Sequence, residues 1–148
     1  MKSGKNSEMK KYRFLQHTAD AKFQAFGNTI EEAFCHAALA IVSLMWEGDS
    51  IEQKKHVRVK VEGRDLKQLL VNFLEEILYL LDTEMFLLSS VEELSIEKKD
   101  GSFLLRALFK GDMYSEVYRI FGSVKAITYN EMEISTDTPV MVQVVVDI

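Results

Sequence analysis

Two short stretches place carboxylates where a fold could hold them still. His17-Thr18-Ala19-Asp20 is a polar break between two strand-like segments, and Val144-Val145-Val146-Asp147-Ile148 ends an apolar run on a carboxylate side chain beside the terminal α-carboxylate. Alone, each is unremarkable: Asp20 reads as a turn residue and Asp147 as a solvated end. Brought together they become a site. Three converging carboxylates raise one another's pKa unless a proton or cation intervenes. A hard divalent ion resolves the repulsion, and Ca²⁺, Mg²⁺ or Mn²⁺ suits oxygen donors better than zinc does. A last strand paired into a sheet would fix Asp147 and the Ile148 carboxylate, and convergence requires Asp20 at a neighbouring strand end.

No other constellation competes. The seven glycines are scattered singly, and no GxSxG elbow, HExxH pair or CxxC occurs. Cys35 falls at an alanine-rich helical position and reads as a small packing residue. His36 and His56 have no partner visible along the chain. A metal-assisted hydrolase built on His17 and Asp20 lacks a nucleophile–base–orienter set. The net charge of -5 and a pI near 5.3 disfavour direct grip on nucleic acid, which needs clustered Lys and Arg. Action on RNA would therefore pass through another protein.

The elements that must position these residues follow from periodicity. With 148 residues, 47% of them apolar, the chain supports one domain with its own core. Residues 1–10 read as a flexible leader and 11–148 as the domain. A lone cysteine rules out an intrachain disulfide and fits the reducing cytoplasm. No secretory signal is expected from the basic, polar N-terminus, and no stretch approaches the ~18 apolar residues of a membrane span.

Residues 12–15 and 21–26 read as strands, with Gly27-Asn28 after them. Thr29 and Glu32 form a capping box for a helix whose apolar stripe runs through Ile30, Phe34, Ala37, Ile41 and Leu44. Val57, Val59 and Val61 alternate with Arg58, Lys60 and Glu62 as a half-wet strand. Asp65 caps a second helix with a broad apolar face from Leu66 to Leu81. The remainder reads as sheet: 91–97 and 103–110 around an Asp100-Gly101 turn, then 124–134 and 140–147. The expected class is α+β, with two helices packed on one face of a mostly antiparallel sheet.

Several segments resemble the archease family. HTAD at 17–20, GNTIEEAFCHAALA at 27–40, EGRDLKQLLVNFLEEILYLLD at 62–82, KAITYNEMEI at 125–134 and the ending VVVDI match its motifs in order, over roughly residues 12–148. The resemblance implies an accessory protein of the GTP-dependent RNA ligase of tRNA splicing and RNA repair, one that promotes guanylylation of the ligase's histidine and supports its turnover. It equally carries an alternative role, as a chaperone or modulator of a tRNA-modifying methyltransferase. Its metal ligands map onto Asp20, Asp147 and the Ile148 carboxylate, with His17 and Lys125 at further motif positions. Asn130 stands where the family has histidine, so proton transfer near neutral pH is unavailable there. For the chaperone role, Met113, Tyr114, Tyr118 and Phe121 are the candidate exposed apolar patch.

Overall fold

The computed structural model describes residues 10–16 and 20–148; most of the expected leader, and His17-Thr18-Ala19, lie outside them. Among the described residues, seven strands and two α-helices follow one another as β1 (Tyr12–Leu15), β2 (Ala21–Gly27), α1 (Ile30–Ser43), β3 (Lys55–Gly63), α2 (Leu66–Glu84), β4 (Phe86–Lys99), β5 (Ser102–Met113), β6 (Ala126–Ser135) and β7 (Val140–Asp147). The strands form two sheets, ordered β1-β2-β7-β6 and β3-β5-β4, antiparallel throughout. Two helices on antiparallel sheet is the expected class, with the sheet split in two. Both helices touch both sheets: α1 lies against β2, β7 and β4, and α2 against β3, β6, β4 and β5.

The two strand-to-helix turns are built alike. In the first, Thr29 Oγ1 accepts from the Glu32 N–H at 3.1 Å while Glu32 Oε1 accepts from the Asn28 N–H at 2.6 Å. In the second, Asp65 Oδ1 accepts from Gln68 N–H and Gln68 Oε1 accepts from Arg64 N–H, both at 2.8 Å. Each reciprocal pair satisfies backbone donors that a helix start leaves without partners. A glycine precedes each cap by two residues because the strand end lies directly on the helix. A Cβ on Gly27 would meet the Ala33 nitrogen at 2.5 Å, and one on Gly63 the Leu69 nitrogen at 2.5 Å. Helix α2 runs three residues past the expected Leu81, until Met85 turns left-handed at φ 55°. The Asp100-Gly101 turn has both residues at positive φ, 54° and 83°, as a two-residue hairpin requires.

Aromatic rings join the layers. Phe34 on α1 stacks on Phe73 of α2 at 6.0 Å, and Phe73 meets Phe109 of β5 edge-on at 5.9 Å; all three are fully buried. Trp46, also fully buried, donates its indole N–H to the Leu88 carbonyl at 2.9 Å. The helices thus hold the two sheets to one core, and the four-stranded sheet presents its other face outward.

Candidate functional site

Strand β7 is central in its sheet, flanked by β2 and β6. Its pairing with β2 runs from Gly27↔Val140 to Ala21↔Val146, so the next position along both chains joins Asp20 to Asp147. Pairing with β6 starts at Ala126↔Asp147, and the Lys125 N–H donates to the Asp147 carbonyl at 2.7 Å. Asp20, Lys125, Asp147 and Ile148 therefore meet at one end of the sheet. Antiparallel partners share a face. Phe23 and Val144 face the helices, both fully buried, so Lys22, Val145 and the neighbouring Asp20 and Asp147 belong to the outward face. Position in the ladder, and no feature of composition, brings the two aspartates together.

As a metal site this donor set is small. Among the described residues no three His, Cys, Asp or Glu side chains gather closely enough to hold an ion. Asp20, Asp147 and the terminal carboxylate are all hard oxygen donors, and their chemistry fits a hard divalent cation whose remaining positions water or a partner protein fills. His17 lies outside the described residues. Asn130 does not sit beside Asp147. It belongs to an irregularity in β6 between Thr128↔Val145 and Glu133↔Gln143, where residues 129–132 face the single residue Val144. Its N–H donates to Thr128 Oγ1 at 3.2 Å, and that hydroxyl donates to the Val145 carbonyl at 2.8 Å.

The outward face also carries polar residues that spacing did not single out. Arg13 on β1 donates to Gln24 Oε1 from Nε at 3.0 Å and Nη2 at 2.7 Å. Gln24 on β2 donates to Gln143 Oε1 on β7 at 2.9 Å, and Gln143 donates to the Glu131 carbonyl on β6 at 2.7 Å. Lys22 Nζ meets Glu131 Oε1 at 2.8 Å. One polar row thus crosses all four strands. A signal existed for part of it: Lys22 and Gln24 alternate with buried Ala21, Phe23 and Ala25, and Gln143 interrupts a valine-rich run. Nothing in the sequence marks Glu131.

The remaining candidates are structural. His36 Nδ1 lies 2.6 Å from the Phe26 carbonyl. The Cys35 thiol is pushed up to about 11, by burial first and then by Glu32 and Glu31, so it is a poor nucleophile. His56 is exposed on an edge strand. In the 114–125 segment Tyr118 is buried and not part of an exposed patch, because its hydroxyl donates to Asp112 Oδ2 at 2.6 Å and draws the ring inward. That bond also holds the Asp112 carboxyl below its ordinary value. Met113, Tyr114 and Phe121 are exposed, as are Val117 and Ile120. Among the described residues no helix is long and apolar enough to cross a membrane.

Comparison with known proteins agrees with this fold. Residues 12–148 match the model of the archease protein family (MTH1598/TM1083). The chain is similar to the protein archease of Pyrobaculum neutrophilum, 42% identical over 140 residues that cover 93% of this chain and 95% of that one. The archease of Pyrococcus furiosus is 39% identical over 143 residues, covering 95% and 100%. The solution structure of Methanobacterium thermoautotrophicum protein 1598 superimposes with a TM-score of 0.81 at 32% identity, over 95% of this chain and all of that one. With a family match from the first strand to the last residue, and relatives aligned over nearly their whole lengths, this chain belongs to the archease family.

Proposed function

We propose that this chain is a cytoplasmic accessory protein that activates a GTP-dependent RNA ligase of tRNA splicing and RNA repair, promoting the ligase's guanylylation through its acidic tip. The observation that carries this reading is the β2–β7 register, which aligns Asp20 and Asp147 on one face at the sheet's end. Asp20, Asp147 and the Ile148 carboxylate would hold a divalent cation, Ca²⁺ or else Mg²⁺ or Mn²⁺. Such an ion supplies neutralisation of the charge that develops in phosphoryl transfer. The protein's own part is positional. Backbone pairing on both sides of β7 fixes Asp147 in a strand, with Asp20 and Ile148 at the adjoining strand ends, so the carboxylates need little ordering to reach a partner's site. Lys125, the residue just before β6, is tied to Asp147 through its backbone. The acidic balance of the chain suits a protein that contacts the ligase and leaves the RNA to it.

The test is guanylylation of a purified ligase by GTP, with and without this protein. Asp20→Asn and Asp147→Asn should each abolish stimulation while leaving thermal unfolding within about 2 °C of wild type, since surface changes are usually small. Stimulation by both variants at the wild-type level would remove the tip from the mechanism.

A second reading, a chaperone or modulator of a tRNA-modifying methyltransferase, is favoured by the exposed apolar side chains Val117, Ile120 and Phe121. A chelator separates the two readings. Protection of a methyltransferase from aggregation would survive it, and ligase activation through the tip would not.

A further inference from the structure

We infer that the β6 irregularity is a latch on the terminal strand, closed by the Lys22–Glu131 ion pair, and that these two are positioning residues for the carboxylates at the tip. The inference rests on the reading of the tip given above.

Three observations carry it. First, the extra residues of β6 are inserted opposite Val144, immediately before the last three residues of the strand. Second, their contacts reach over β7. The Glu131 carboxylate bonds Lys22 of β2, the strand on the far side of β7, at 2.8 Å, while its carbonyl accepts from Gln143 of β7 itself. Third, Val145 is fully buried and Gln143 nearly so although both belong to the outward face. An apolar residue on a solvated sheet face reaches that burial only when something covers it, and Lys22, the cross-strand partner of Val145, carries the bridge to Glu131. Glu131 also holds φ 51°, a left-handed conformation that costs a non-glycine residue and persists when surrounding contacts enforce it.

The mechanical consequence is specific. Lys22 lies two residues from Asp20, and Val145 two residues from Asp147, so the latch clamps both strands one repeat away from the carboxylates. Thr128 adds a tie from β6 to β7, accepting from the Asn130 N–H and donating to the Val145 carbonyl. A clamp at that distance limits fraying of the chain end without occupying the tip.

The test compares Glu131→Gln, Lys22→Met and the charge-swapped double variant Lys22→Glu/Glu131→Lys. Opening the latch should speed amide hydrogen exchange at Val144–Asp147 about three- to fivefold. That is the equilibrium effect expected of a partly exposed ion pair. Amides of α1 and α2 should exchange as in wild type. The swapped pair should recover most of the lost protection. In a ligase guanylylation titration, the single variants should raise the protein concentration for half-maximal stimulation by a similar factor and keep the maximal rate. Unchanged exchange at Val144–Asp147 in both single variants overturns the latch, as does a swapped pair with no recovery. The exchange measurement needs no ligase. Wild-type protein that fails to stimulate would therefore remove the tip's role, while the expected exchange pattern would still uphold the latch.

Discussion

Gln143→Leu is the sharpest test of what holds the outward face of the four-stranded sheet together. Gln143 is only 6% exposed, a polar side chain among fully buried valines. Its amide donates to the Glu131 carbonyl at 2.7 Å and accepts from Gln24 Nε2 at 2.9 Å. Leucine fills nearly the same space, so cavity terms are small and the change isolates the two hydrogen bonds. Each is worth about 0.5–1.5 kcal/mol net, and both former partners remain behind. The Glu131 carbonyl and the Gln24 amide sit at the rim and regain water in part, which trims the loss. Burying the leucine methyls returns roughly 1 kcal/mol. The balance is a destabilisation of about 1 kcal/mol, or roughly 2–4 °C in Tm for a chain of this size. Urea unfolding should show a lower midpoint at an unchanged slope, because the surface exposed on unfolding is nearly the same. Amide exchange should locate the effect at residues 129–132 and on β7. Wild-type or higher stability, with unchanged exchange around Glu131, would show that the polar row is incidental and that packing alone holds the sheet.

Two further predictions concern titration. Burial raises the Glu76 carboxyl above its ordinary value, so the native state is penalised for ionising it. The penalty is fully present at neutral pH and is relieved as pH falls through the raised value toward the ordinary carboxylate range. Glu76→Gln should therefore raise Tm at pH 7 by about 1–2 °C, a modest gain because solvent screens this half-exposed group. The gain should shrink toward pH 4; a difference independent of pH would refute the cause given. Cys35, with its thiol raised to about 11, should react with iodoacetamide at pH 8 at least about tenfold more slowly in the native protein than in urea. Equal rates would show that the thiol is neither buried nor electrostatically disfavoured.

Much of this structure is legible residue by residue. Thr29–Glu32 and Asp65–Gln68 act locally, through side chains three residues apart, so their caps form where the sequence places them. The stripe from Leu66 to Leu81 makes α2 helical, and the Val57-Val59-Val61 alternation makes β3 a strand, because each pattern names one buried face. The Asp100-Gly101 turn needs only its own two residues. Family motifs marked Asp20, Asp147 and Lys125 as related without saying how they meet.

What the sequence could not determine is neighbourhood. Periodicity says which side of a strand is buried and nothing about which strand lies beside it, because backbone hydrogen bonds are blind to side-chain identity. Only the tertiary structure decided that β7 enters between β2 and β6, which sets Asp20 next to Asp147, and that the strands of the described residues divide into two sheets around the helices. The same holds for the irregularity in β6. Tyr129-Asn130-Glu131 reads in sequence as a continuing strand, yet in the fold it bulges, with Glu131 bonded to Gln143 of β7 and to Lys22 of β2 beyond it, both distant in the chain.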